Sequence, residues 1–460
     1  MPPPRIIFSL LSLLSIVTFT SSSITLPLSP LFTKHPSSHP FHTLQLAVSA
    51  SIRRARHLKN HANYPPAKTP VHPKSYGGYS IDLKFGTPPQ TFSFVLDTGS
   101  TLVWLPCSSH YLCSKCNSFP NTTQTPKFIP KDSSSSKFVG CTNPKCAWVF
   151  GANVQSRCCK PNTAANCSQT CPAYTVQYGL GSTAGFLLSE NLNFPGKIVA
   201  DFLVGCSIVS VYQPAGIAGF GRGPESVPSQ MNLTRFSYCL VSHRFDDSPA
   251  SSDLVLETTS GNLKTNGVSY TPFRKNPSSK NPVFGTYYYL TLRKIIIGEK
   301  RVRVPKRLLE PDVNGDGGSI VDSGSTFTFM ERPIFDLVAQ EFERQVNYTR
   351  AREVEARSGL SPCFAVPGSG TASFPELRFE FRGGAKMRLP LTNYFSLVGE
   401  SDVACLTIVS DDVAGSGLAG GPAVILGNYQ QQNFYVEYDL ENERFGFRRT
   451  NEFEFLKINK

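Results

Sequence analysis

Acidic residues are missing from the first part of this chain: no Asp or Glu occurs before Asp82. Eight basic residues do occur there, namely Arg5, Lys34, Arg53, Arg54, Arg56, Lys59, Lys68 and Lys74. Setting these eight aside leaves +4 of the formal net charge of +12. The basic balance thus sits in one segment, which excludes a broad nucleic-acid-binding surface. Histidine is scarce beyond the same segment. Only His110 and His243 follow it, and no G-x-S-x-G occurs, so a Ser-His hydrolase is excluded. No long apolar run follows Phe19, which excludes a membrane span in a processed chain. Long stretches of helical periodicity are also scarce. What is abundant is Phe (33), Tyr (17), Gly (35) and Pro (36), a balance that predicts mostly β structure.

One short pattern occurs twice in this background. Phe94-Val95-Leu96-Asp97-Thr98-Gly99-Ser100 is echoed by Ser319-Ile320-Val321-Asp322-Ser323-Gly324-Ser325. In each copy an apolar run suited to a buried strand is followed by Asp, a hydroxyl residue, Gly and a second hydroxyl residue. The Gly allows a turn directly after the strand. One copy reads as a loop Asp bonded to its own backbone. Two copies imply two similar lobes that present carboxylates to each other. Carboxylates a few ångströms apart share a proton, so one serves as general base on a water and the other as general acid. A second echo supports duplication: Ala215-Gly216-Ile217-Ala218-Gly219 returns as Ala423-Val424-Ile425-Leu426-Gly427.

The amino end reads as a targeting segment: Arg5, then Ile6–Phe19, then the small residues Ser21, Ser22 and Ser23. Thirteen cysteines, nine of them between Cys107 and Cys171, read as a disulfide framework of an oxidising compartment, with one thiol left over. Cys363 and Cys405, the only cysteines of the expected C-terminal lobe, are expected to pair. Sequons at Asn121, Asn166, Asn232 and Asn347 fit the same route. The expected organisation is a signal peptide over 1–23, a propeptide over 24–75, an N-terminal lobe with a Cys-rich insertion over 76–260, and a C-terminal lobe over 261–460. In the propeptide, Phe41–Lys59 alone has helical character. Its cations are expected to cover a carboxylate-lined cleft until acid neutralises it, the plain alternative being a disordered linker.

Tyr174–Leu187 reads as strand, Gly-rich tip, strand, with Tyr178 near the tip. Pro333–Phe342 is the clearest helix, with Pro at a first-turn position and apolar residues at helical spacing. Asp312-Val313-Asn314-Gly315-Asp316 imitates a calcium loop, but the twelfth position is Ser323 rather than Glu, so it reads as a turn. Arg301–Arg307 reads as a solvated strand face.

These motifs resemble those of the pepsin-like aspartic endopeptidases. The resemblance runs from Tyr76 to Arg448 and is closest to the plant nepenthesin-like and atypical members. The Cys-rich insertion after Leu-Val-Trp-Leu-Pro-Cys, the Gln-Tyr-Gly hairpin, Gly-Phe-Gly-Arg-Gly and Phe-Ser-Tyr-Cys-Leu all carry it. It implies an all-β, bilobal double-psi β-barrel fold with a cleft between the lobes. It implies Asp97 and Asp322 as the catalytic dyad, and Thr98 and Ser323 as bracing hydroxyls. Ser100 and Ser325 would bond the outer carboxylate oxygens, beside Gly99 and Gly324. Tyr178 would be the flap tyrosine, Trp104 its partner, and Gly219 and Gly427 would close the loops. The implied reaction is hydrolysis of a polypeptide in acid, with neither metal nor cofactor. The implied protein is a monomer, secreted to the cell wall or delivered to the vacuole, and open to proteinaceous inhibitors. Proteins of this architecture also include non-catalytic inhibitors of cell-wall glycanases. Those are expected to lack a catalytic residue or the flap.

Overall fold

The computed structural model describes residues 23–31, 40–59 and 78–450, apart from 115, 117–125, 155–157, 159–169, 180, 214, 243–251, 263, 279–280, 368–371, 399–401 and 411–419. The proposed signal segment, apart from its last residue Ser23, and sequons Asn121 and Asn166 lie outside the described residues. Asn232 and Asn347 are both exposed.

Strand is the dominant element, and two similar lobes face each other across a cleft. In the first, β2 (Gly78–Phe85) and β3 (Gln90–Asp97) form an antiparallel hairpin, and β3 also pairs in parallel with Gly216–Gly219. In the second, Ser319–Val321 pairs in parallel with Val424–Leu426. Each Asp-bearing strand thus runs beside the strand that ends in the echoed glycine. A Cβ on Gly219 would lie 2.3 Å from the Thr101 carbonyl carbon, and one on Gly427 2.6 Å from that of Phe327. Only a bare backbone fits where these chains cross. The lobes share a sheet. Arg235–Cys239 of the first pairs with Phe434–Asp439 of the second, where Phe236 stacks on Tyr438 at 4.4 Å.

The leader segment contributes two elements to this body. β1 (Ser23–Leu31) lies inside the shared sheet, between Ser252–Glu257 and β2. Helical character over Phe41–Lys59 was the only structure expected of the propeptide, and Pro27 and Pro30 argue against a central strand. The register explains the exception. Residues 23–27 pair only with Glu257–Asp253, 29–31 pair only with Ser80–Gly78, and Leu28 alone pairs on both sides. Each proline therefore has one unpaired side, as at an edge. Ile24, Leu26 and Leu28 are buried in the main core. α1 (Pro40–Lys59) follows, and lies in the cleft.

The helix expected over Pro333–Phe342 extends from Arg332 to Gln345, with Ile334, Phe335, Val338, Ala339 and Phe342 turned to the core. The basic run Arg301–Arg307 is not one strand face. Lys300–Val302 is a strand, and Lys306–Leu309 is a helical turn after Pro305. Asp312 accepts hydrogen bonds from the backbone of Asn314 and Asp316, which makes that stretch a turn.

Bridges join Cys107–Cys206, Cys113–Cys116, Cys141–Cys158, Cys146–Cys171 and Cys363–Cys405. The last ties two directly paired residues of adjacent strands, 42 positions apart. Replacing both Cys363 and Cys405 by Ala is expected to destabilise the protein by about 4 kcal/mol on the chain-entropy model. Urea unfolding of the double variant against the parent measures this.

Candidate active site

The two Asp loops meet with near two-fold symmetry. Asp97 Oδ2 accepts from the Ser100 hydroxyl at 2.6 Å and Asp97 Oδ1 from the Gly99 N–H at 3.0 Å. Asp322 Oδ2 accepts from the Ser325 hydroxyl at 2.6 Å and Asp322 Oδ1 from the Gly324 N–H at 2.9 Å. Across the pseudo-axis, the Ser323 N–H donates to Thr98 Oγ1 at 2.9 Å, and the Thr98 N–H to Ser323 Oγ at 3.1 Å. The glycines let the loops touch. A Cβ on Gly99 would stand 2.7 Å from Asp322 Oδ1, and one on Gly324 2.4 Å from Asp97 Oδ1. Outer oxygens are thus held by hydroxyls, and the inner oxygens face the opposite loop. Ser323→Ala would strip the Thr98 N–H and the Leu96 carbonyl of a partner. This is expected to destabilise the protein by about 2 kcal/mol in chemical denaturation, because both groups are buried.

The hairpin Tyr174–Gln177 and Ser182–Phe194 closes over the pair. The Tyr178 hydroxyl accepts from the Trp104 indole N–H at 2.9 Å. Burial, with the Asp97 charge nearby, raises the phenol well above its ordinary value, so it stays neutral.

A cation occupies the space between the carboxylates. Arg54 of α1 places Nη2 2.5 Å from Asp97 Oδ1 and 3.5 Å from Asp322 Oδ1, and Nε 3.1 Å from Asp322 Oδ2. Burial pushes the Asp97 carboxyl up to about 6; Arg54 opposes the rise, and Asp322 adds to it. Asp322 is just as buried, but the charge and hydrogen bond of Arg54, with those from Ser325 and Gly324, hold it below its ordinary value. As pH falls, Asp97 is therefore the first of the two to take a proton. Burial alone would lower the Arg54 guanidinium, but the two carboxylates outweigh it and keep it charged.

The sequence marked Arg54 only as one of several cations. The helix decides which one enters. Ala47, Ser51, Arg54, Ala55 and Leu58 share one buried face, while Arg53 and Arg56 are half-buried beside it. Four of those five are Ala, Ser or Leu, so the face can approach closely. That small-residue row at helical spacing was the available signal. The Ser51 hydroxyl accepts from the Phe327 N–H at 2.9 Å, the Tyr287 hydroxyl donates to the Leu58 carbonyl at 3.2 Å, and Gly179 of the hairpin lies against the Arg54 backbone. Leu44, Ala47, Val48, Ala55 and Leu58 pack on Tyr287, Tyr289, Phe327 and Phe329 of the second lobe. A pocket remains beside the helix, lined by Ala50, Val95, Tyr178, Gln213 and Ile217. Among the described residues, no group of three His, Cys, Asp or Glu is placed to hold a metal, and no helix is long and apolar enough to cross a membrane.

Comparison with known proteins agrees with this geometry. Residues 79–256 match the family model described as "Xylanase inhibitor N-terminal" and 287–449 the one described as "Xylanase inhibitor C-terminal". A protein named "Probable aspartyl protease" from Arabidopsis thaliana is 34% identical, over 94% of each chain. Nepenthesin-2 of Nepenthes gracilis is 34% identical over 83% of this chain and 80% of its own, and nepenthesin-1 is 32% identical over 88% and 85%. Among solved structures, the soybean basic 7S globulin has the same fold at 14% identity, with a TM-score of 0.61 over 95% of this chain and 98% of its own. The structure titled "edgp" gives 0.64 at 18% identity, over 94% and 96%. Paired Asp loops on crossed strands, a hairpin over them and these relatives lead to one conclusion: the chain belongs to the pepsin-like aspartic protease family, in its plant nepenthesin-like branch.

Proposed function

We propose that the chain is an aspartic endopeptidase made in latent form, with Asp97 and Asp322 as its catalytic pair and α1 as its internal plug. The observation that carries this reading is the seat of Arg54 on the inner oxygens of both carboxylates. An atom held by both inner oxygens stands where an attacking water would be held. Once α1 leaves, the ionised carboxylate takes a proton from that water as its oxygen adds to the peptide carbonyl carbon. The protonated carboxyl gives its proton to the carbonyl oxygen. Collapse of the resulting diol, with a proton passing to the nitrogen, breaks the C–N bond, and no covalent enzyme intermediate forms. Ser100, Ser325 and the crossed Thr98 and Ser323 contacts hold the pair, and Tyr178 closes over an extended polypeptide. Working in acid follows from a pair that must share one proton.

Secretion is part of the same reading, supported by the amino-terminal segment, the bridges and the exposed sequons Asn232 and Asn347. Delivery to the cell wall or the vacuole, a monomeric state and control by proteinaceous inhibitors belong to it too. The experiment is acid incubation of the full chain with a denatured protein, with and without a statine-type inhibitor. Inhibitor-sensitive cleavage is expected, together with loss of the leader. No cleavage at any pH, with tight binding to a cell-wall glycanase instead, would replace this reading with that of a non-catalytic inhibitor.

A further inference from the structure

The last turn of α1 carries a second buried cation. The Lys59 side chain is wholly enclosed, and its ammonium is paired with the Glu331 carboxylate. It also donates to the Pro422 carbonyl at 3.3 Å and lies 5.8 Å from the centre of the Phe329 ring. None of these three partners belongs to the leader. A carboxylate, a carbonyl and an aromatic face are the group types that hold an ammonium.

The pocket is built by the second lobe itself. The Glu331 N–H donates to the Ala423 carbonyl at 2.9 Å, which ties it to the strand that continues to Gly427. Glu331 also stands directly before the helix Arg332–Gln345, whose amino end favours a negative charge. Gly421 forms one wall, where a Cβ would meet the Lys59 Cα at 2.7 Å. Phe329 lies on Thr328–Met330, which pairs with Val424–Leu426. The backbone that carries carboxylate, ring and carbonyl is therefore held by bonds within the second lobe and not by α1.

α1 lies along the cleft that a substrate would occupy. Lys59 is five positions from Arg54, or about 7.5 Å along a helix at 1.5 Å per residue. An extended peptide covers that length in about two residues. We propose that, after α1 leaves, the pocket of Glu331, Phe329 and Pro422 is a subsite that selects a lysine or arginine side chain of the substrate a few residues from the bond that is cut. The leader's own lysine then marks where that side chain goes. This inference rests on the proteolytic reading above.

The test uses the activated enzyme and peptides in which lysine or norleucine is scanned through the positions flanking the scissile bond. At one position the lysine peptide is expected to have about tenfold the kcat/KM of its norleucine partner. Glu331→Gln should bring that ratio close to one, and its cleavage of the norleucine peptide reports that the variant is folded. A Phe329→Leu variant should lower the same ratio in part. Equal cleavage of the two peptides at every position, or a preference that Glu331→Gln leaves intact, overturns the subsite alone. Cleavage of neither peptide overturns the proteolytic reading and the subsite with it.

Discussion

Full-length Arg54→Gln is expected to expose its leader and open its cleft at neutral pH, where the parent stays closed. Removing the guanidinium leaves α1 packed over two carboxylates with no counter-charge between them. Breaking a buried pair in this way costs about 3 kcal/mol, equivalent to roughly a hundredfold in the open fraction. The difference depends on pH. Arg54 pulls both carboxylate pKa values down, so a free dyad binds protons more readily than a plugged one. The grip is therefore complete above the free dyad's values and is lost as pH falls. The loss begins at the free dyad's values, which lie above the plugged ones, is well under way as the plugged Asp97 takes a proton near 6, and is complete when Asp322, held below its ordinary value, follows. The parent should open across that window, and Arg54→Gln should be open already above it. Arg54→Lys is the control. One ammonium cannot fork to both carboxylates as a guanidinium does, so it should sit between the two. Limited proteolysis of the leader against pH, read by terminal sequencing, measures all three. Superimposable curves for parent and Arg54→Gln would remove α1 from regulation.

Asp97→Asn and Asp322→Asn should each lower the cleavage rate of the activated enzyme by about a thousandfold or more, since an amide can neither take the water's proton nor carry the shared one. The fold should survive, because Asn fills the same space and the Ser100 and Ser325 hydroxyls can still bond it. These variants also separate catalysis from latency. Each removes half of the negative charge that holds Arg54, so the leader should become more accessible in the full chain while cleavage disappears. Proteolytic accessibility and peptide hydrolysis, measured on the same preparations, should therefore move in opposite directions. A variant that keeps full activity would show that the pair is not the catalytic centre.

The site was legible in the sequence because its parts are local. Asp97, Thr98, Gly99 and Ser100 are contiguous, as are Asp322, Ser323, Gly324 and Ser325, and the chemistry of each loop follows from its own residues. The disulfide at Cys363 and Cys405 was legible for a different reason: no other cysteine falls in 261–460. β1 was not legible. Its Pro27 and Pro30 argue for a loop, and they are tolerated only because each half of the strand pairs on one side. The segment 301–307 failed in the other direction, since its charges look alike while Pro305 splits it into a strand and a helical turn.

The sequence by itself determined that two Asp loops recur on buried strands, that a glycine closes each, and that the leader is basic. Such features depend on neighbours along the chain. Only the tertiary structure decided that Arg54, among four cations in one helix, reaches both carboxylates, and that Lys59 finds Glu331, 272 positions away. Helix rotation and lobe packing set those distances, and neither is written in any single stretch of residues.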